Sequence, residues 1–131
     1  MGREMRRKGI ISGAFIVLLL LLPALFLSGA AAESVDISAD EAYQMLQEKP
    51  GEIILLDVRT EKEYTSEHIP GALNIPLAIL ESRVDELDRS KIIIVYCQAG
   101  GRSLRAKELL LQYGFERVYA ILGGLNAWKQ K

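Results

Sequence analysis

The stretch "YCQAGGRS", Tyr96 to Ser103, holds the single cysteine of a 131-residue chain. Cys97 follows a run of apolar β-formers and precedes an amphipathic helix, with two glycines and an arginine just beyond it. A thiol in this position has two readings. By residue type it is inert, because free cysteine is among the most buried residues. By position it is reactive. Gln98, Ala99, Gly100 and Gly101 form a loop that lets successive N–H groups turn inward at one atom, and the helix opening near Ser103 adds unpaired N–H groups and its positive dipole end. A thiolate in such a cradle is stabilised relative to the thiol. Bringing a thiol from about 8.5 to 6.5 takes roughly 2.7 kcal/mol, whereas a helix terminus gives about 0.3–1 kcal/mol, so the loop N–H groups must contribute most of the shift. Arg102 adds to it where its side chain turns toward the loop.

Apolar patterning gives the elements that must position this loop. "SVDIS" (34–38) is a short strand, and "SADE" (38–41) has capping-box spacing. Ala39, Ala42, Tyr43 and Leu46 then share one helical face, which ends before Pro50-Gly51. "IILLDV" (53–58) and "KIIIVY" (91–96) are apolar without alternation, as in strands covered on both faces. Pro70-Gly71 fits a tight turn before a short strand at 72–75, and Leu77, Leu80, Val84 and Leu87 suit a helix. Ala106, Leu109, Leu110 and Tyr113 give a helical face that Gly114 terminates, followed by a strand "RVYAIL" (117–122) and a last short helix in "GGLNAWKQK". Strands separated by helices imply an α/β fold, a small central parallel β-sheet with helices on both faces. Active sites of open parallel sheets lie beyond the carboxyl ends of the strands, which is where Cys97 falls.

The N-terminal region reads differently. Arg3, Arg6, Arg7 and Lys8 precede an uncharged run from Ile10 to Leu27, and Ala30-x-Ala32 offers a cleavage site before Glu33. This is the layout of a secretory signal peptide over residues 1–32, leaving one domain over 33–131. An uncleaved membrane anchor is the competing reading, since about 18 uncharged residues can span a bilayer. Acidic residues after the run place the rest of the chain outside in either case, so an exported, periplasmic or extracytoplasmic location is expected. Contact with a membrane would come only through the N-terminal segment. Residues 33–131 carry 12 Lys+Arg against 16 Asp+Glu, an acidic balance that argues against nucleic acid as a partner. One cysteine and one histidine exclude a metal site built from several of either.

Three stretches together resemble single-domain rhodanese-family sulfurtransferases: "LLDVRTEKEYTSEHIPGALNIPL" (55–77), "IVYCQAGGRS" (94–103) and "ILGGLNAWK" (121–129), in that family's order and spacing. The resemblance implies the rhodanese-like fold and a catalytic Cys97 that becomes a persulfide, with no cofactor. It implies a substrate loop of Gln98, Ala99, Gly100, Gly101, Arg102 and Ser103, with Asp57 and Arg59 in support and a structural His68. The partners implied are a small sulfur donor, a thiol or cyanide acceptor, and in some settings a protein that delivers sulfur. Gln98 stands where the family often has a basic residue, which weakens the case for an anionic donor such as thiosulfate. Glu67 replaces a common glycine, a change expected to alter only a surface turn.

Two other readings stand beside this one. Phosphatases and arsenate reductases also ring a cysteine with a backbone cradle and an arginine, but in C-x5-R loops, and here only four residues separate Cys97 from Arg102. A non-catalytic sulfur-carrier or partner-binding module is the stronger rival. Trp128 reads as a packing anchor for the last helix, and Glu61, Glu63 and Glu67 as a solvated acidic face.

Overall fold

A computed structural model describes residues 35–131. The signal or anchor expected over residues 1–32 lies outside the described residues. Five strands, β1 (Asp36–Ile37), β2 (Ile53–Asp57), β3 (Leu73–Asn74), β4 (Ile92–Tyr96) and β5 (Val118–Ile121), alternate with five helices, α1 (Ala39–Glu48), α2 (Glu61–Ser66), α3 (Leu77–Arg83), α4 (Gly101–Gln112) and α5 (Gly124–Trp128). The strands form one parallel sheet in the order β1-β5-β4-β2-β3.

The continuous apolar runs occupy the centre of this sheet. β4 is buried at every residue and pairs with β2 along its whole length, from Ile53 opposite Ile92 to Asp57 opposite Tyr96. Because successive side chains point to opposite faces, each run feeds two cores. Ile93, Val95 and Cys97 pack on one face with Leu80 and Val84 from the α3 side and with Ala106 and Leu110 of α4. Ile92, Ile94 and Tyr96 pack on the other with Ala39 and Ala42 of α1 and Leu125 of α5. The α/β architecture with helices on both faces is therefore as expected from the pattern.

One helix is unexpected, and the strands at 34–38, 72–75 and 117–122 are shorter than expected. α2 falls in a segment without an apolar stripe and has no buried residue, and it is held by a capping box in which Thr60 Oγ1 accepts from the Glu63 N–H at 3.2 Å. The helix from Leu77 ends as an α-helix at Arg83 and tightens into a 3-10 turn over Val84–Glu86. α4 begins at Gly101, before the expected start, because Gly100 takes the left-handed conformation (φ 118°) that turns the loop into the helix.

Candidate active site

Cys97 follows the last residue of β4, so the sheet fixes its Cα while its side chain enters the core beneath the loop, 1% exposed. Gly100 caps α4 without a side-chain hydrogen bond, which leaves first-turn N–H groups for another acceptor. The Cys97 sulfur is that acceptor. The Gly100 N–H donates to Sγ at 3.1 Å, and the Ser103 hydroxyl lies 3.5 Å from it. Burial alone would push the thiol up, but the Ser103 hydroxyl together with the N–H groups of Ser103, Gly100 and Ala99 outweighs it and holds Cys97 below its ordinary value.

Ser103 has a single hydroxyl proton and also lies 3.0 Å from the Gly100 carbonyl. With a thiol at Cys97, S–H donates to Ser103 Oγ and the hydroxyl donates to Gly100 O. With a thiolate, the hydroxyl proton turns to sulfur. The Ser103 hydroxyl is the largest single contribution to the lowering, and the N–H groups of Ser103, Gly100 and Ala99 add to it.

The same peptides whose N–H groups turn inward have carbonyls that turn outward, and α5 receives them. Leu125 N–H donates to Cys97 O at 2.8 Å and Asn126 N–H to Gln98 O at 3.1 Å. This contact brings the backbones close enough that only glycine fits at 124, where a Cβ would overlap the Cys97 carbonyl oxygen. Gly124 thus orients the loop, a role invisible in the sequence, where the Gly-Gly pair reads as a helix start. Trp128 lies half-buried against Tyr43, ring centroids 6.0 Å apart, as expected for a packing anchor.

Asp57 and Arg59 reach the loop from the end of β2. They form a buried pair, Arg59 Nη2 to Asp57 Oδ2 at 2.7 Å, with Arg59 Nε 3.1 Å from each carboxylate oxygen. Arg59 donates its other Nη2 hydrogen to the Glu67 carbonyl at 2.6 Å and an Nη1 hydrogen to Gln98 Oε1 at 3.1 Å. Burial opposes its charge, yet the hydrogen bond and charge of Asp57 raise Arg59 further above its usual value. Gln98 also donates through Nε2 to Asn126 Oδ1 at 2.6 Å, so its amide straps β2 and α5 to the loop.

The contribution expected of Arg102 is conditional on its side chain turning toward the loop. Its guanidinium is engaged by Glu63 of α2, Nη1 to Oε2 at 2.7 Å and Nη2 to Oε1 at 3.0 Å, rather than turned into the loop. Glu63 accordingly falls to about 2, first through that hydrogen bond and then through the Thr60 N–H. The acidic face is solvated at Glu61 and Glu67 as expected, but two of its members are paired: Glu63 ties α2 to α4, and Glu67 pairs with Lys129 at 2.8 Å. His68 makes no hydrogen bond to Cys97. Its Nδ1 lies 2.8 Å from the Tyr64 carbonyl in the last turn of α2, and its ring stacks on Tyr64 with centroids 3.7 Å apart.

Residues 38–131, which include every residue of this site, match the rhodanese-like domain. The chain belongs to that family. A thiosulfate sulfurtransferase of Coxiella burnetii, GlpE, is 34% identical over 93 residues, 71% of this chain and 85% of the relative. A Bacillus subtilis protein named as a putative sulfur carrier, YrkF, is 33% identical over 104 residues, 79% of this chain and 56% of the relative. The human single-domain sulfurtransferase TSTD1 superposes with a TM-score of 0.65 at 28% identity, over 73% of this chain and 96% of that one. In this rhodanese-like domain the cysteine, the loop and the buried Asp57–Arg59 pair converge at the carboxyl end of the sheet.

Proposed function

We propose that this chain is a sulfurtransferase in which Cys97 carries a sulfane sulfur from a donor to a thiol or cyanide acceptor, outside the cytoplasm. The observation that carries the reading is the enclosure of Sγ by hydrogen-bond donors, which lowers the thiol despite its burial. The Cys97 thiolate attacks the outer sulfur of the donor, and the donor's own sulfur-bearing remainder leaves as an anion. An acceptor nucleophile then attacks the terminal sulfur of the persulfide, and Cys97 leaves as thiolate. Negative charge stays on sulfur within the same ring of donors in both steps, so the ring needs no rearrangement between them. The basic cluster, the uncharged run and the Ala30-x-Ala32 site support export.

Assay of the full chain with thiosulfate and cyanide tests this directly: thiocyanate forms, and a Cys97→Ser chain forms none. Equal thiocyanate from the serine variant would end the proposal. The similarity to a protein named as a sulfur carrier favours a second reading, in which Cys97 takes sulfur and releases it only to a partner protein. Stable uptake of sulfur that cyanide and small thiols fail to discharge would select it.

A further inference from the structure

Beside the loop, between the end of β5 and the first turn of α4, lies a recess of about 320 Å³. Ala99, Gly100 and Leu104 form one wall, and Leu122 and Gly123 the other, so the recess shares backbone with the loop that encloses Sγ. Leu104 is 42% exposed and Leu122 54% exposed. Single exposed leucines are ordinary, but two lining one recess that abuts a reactive loop form an apolar subsite.

The charges around it are already matched. Asp36, the acidic residue on its wall, pairs with Lys107 at 2.7 Å. The two guanidiniums that surround the loop are held by Asp57 and Glu63. The recess therefore offers carbon surface without an uncompensated charge, which suits an uncharged organic group.

We propose that this recess holds the apolar organic group of a low-molecular-weight thiol, or of the corresponding persulfide, and that Leu104 and Leu122 select the compound with which Cys97 exchanges sulfur. The inference rests on the proposed role of Cys97 as sulfur carrier. In the exchange, the thiolate R–S⁻ attacks the outer sulfur of Cys97–S–SH, and the bond between the two sulfurs breaks. Cys97 leaves as thiolate and R–S–SH forms. The reverse reaction charges the protein from R–S–SH, and neither direction needs an external oxidant or reductant. The R group occupies the recess in both.

The test uses the full chain, charged at Cys97 with inorganic polysulfide and discharged by ethanethiol, butanethiol or hexanethiol. These thiols share a reactive group and differ in buried carbon alone. The discharge rate constant at low thiol rises about two- to fourfold for each added methylene, as expected for burial in an open apolar recess. Leu104→Gln and Leu122→Gln, both at exposed positions, flatten that gradient and leave discharge by cyanide unchanged. A flat gradient in the unaltered chain, a gradient that survives both substitutions, or an equal loss with cyanide would overturn the subsite. Failure to charge Cys97 at all would instead overturn the sulfur-carrier reading on which it rests.

Discussion

The backbone N–H of Leu125 donates to the carbonyl oxygen of Cys97 at 2.8 Å, across 28 residues of chain. A peptide has its N–H and C=O on opposite sides, so binding the Cys97 and Gln98 carbonyls outward fixes the direction of the N–H groups that follow. α5 thus sets the geometry of a cradle to which it contributes no donor.

Gly124→Ala breaks that arrangement. The new methyl would overlap the Cys97 carbonyl and meet the Gln98 carbonyl oxygen at 2.8 Å, at a residue with φ of +56°. The expected cost is about 1–3 kcal/mol in chemical denaturation, with a thiol that reverts toward its ordinary value. Alkylation of Cys97 by iodoacetamide across pH reads the second effect.

Ser103→Ala removes the leading hydrogen bond to sulfur. The pH midpoint of Cys97 alkylation moves up, while Ser103→Thr, which keeps a hydroxyl, holds it near the unaltered value. The sign for stability follows from linkage. Because the folded thiol is lowered, ionised Cys97 adds stability that is complete above the ordinary value of about 8.5 and lost as pH falls through the folded value. Thermal midpoints across that window rise less with pH in Ser103→Ala than in the unaltered chain.

Glu63→Gln uncouples α2 from α4. The Glu63 carboxylate, held at about 2, contributes stability that is full above its ordinary value of about 4.3 and lost as pH falls toward the folded one. Acid titration of the unaltered chain therefore shows a steeper stability decline in that interval than Glu63→Gln, in which the other lowered carboxylates, Glu67, Glu86 and Asp88, still titrate. Side chains 34–36% exposed keep the pair's net contribution to about 1 kcal/mol or less.

Arg59→Met leaves the Asp57 carboxylate buried without its charged partner and frees the Gln98 amide oxygen, whose nitrogen still binds Asn126. Removing one member of a buried pair typically costs about 3–5 kcal/mol, and Asp57→Leu with Arg59→Met recovers much of it. Urea denaturation of the single and double variants measures both.

What could be read from sequence divides along local and distant interactions. Ile53–Asp57 and Ile92–Tyr96 announce themselves because strands buried on both faces must be apolar throughout, and Cys97 is placed by the end of such a run. α2 is a different case: with its six residues unburied, its one local signal is the Thr60 and Glu63 spacing, the same that marks Ser38 and Glu41. The Glu63–Arg102 pair joins residues 39 apart, and nothing near Arg102 names its partner. Gly124 is glycine because of a carbonyl 27 residues earlier, a constraint created by tertiary approach.

Intact mass of the full chain before and after a sulfane donor, and again after cyanide, addresses the central claim most directly. The account predicts a gain of one sulfur atom that is absent in Cys97→Ser and disappears with cyanide as thiocyanate forms. A gain of sulfur by Cys97→Ser, or no gain by the unaltered chain from thiosulfate, polysulfide and organic persulfides alike, would contradict it.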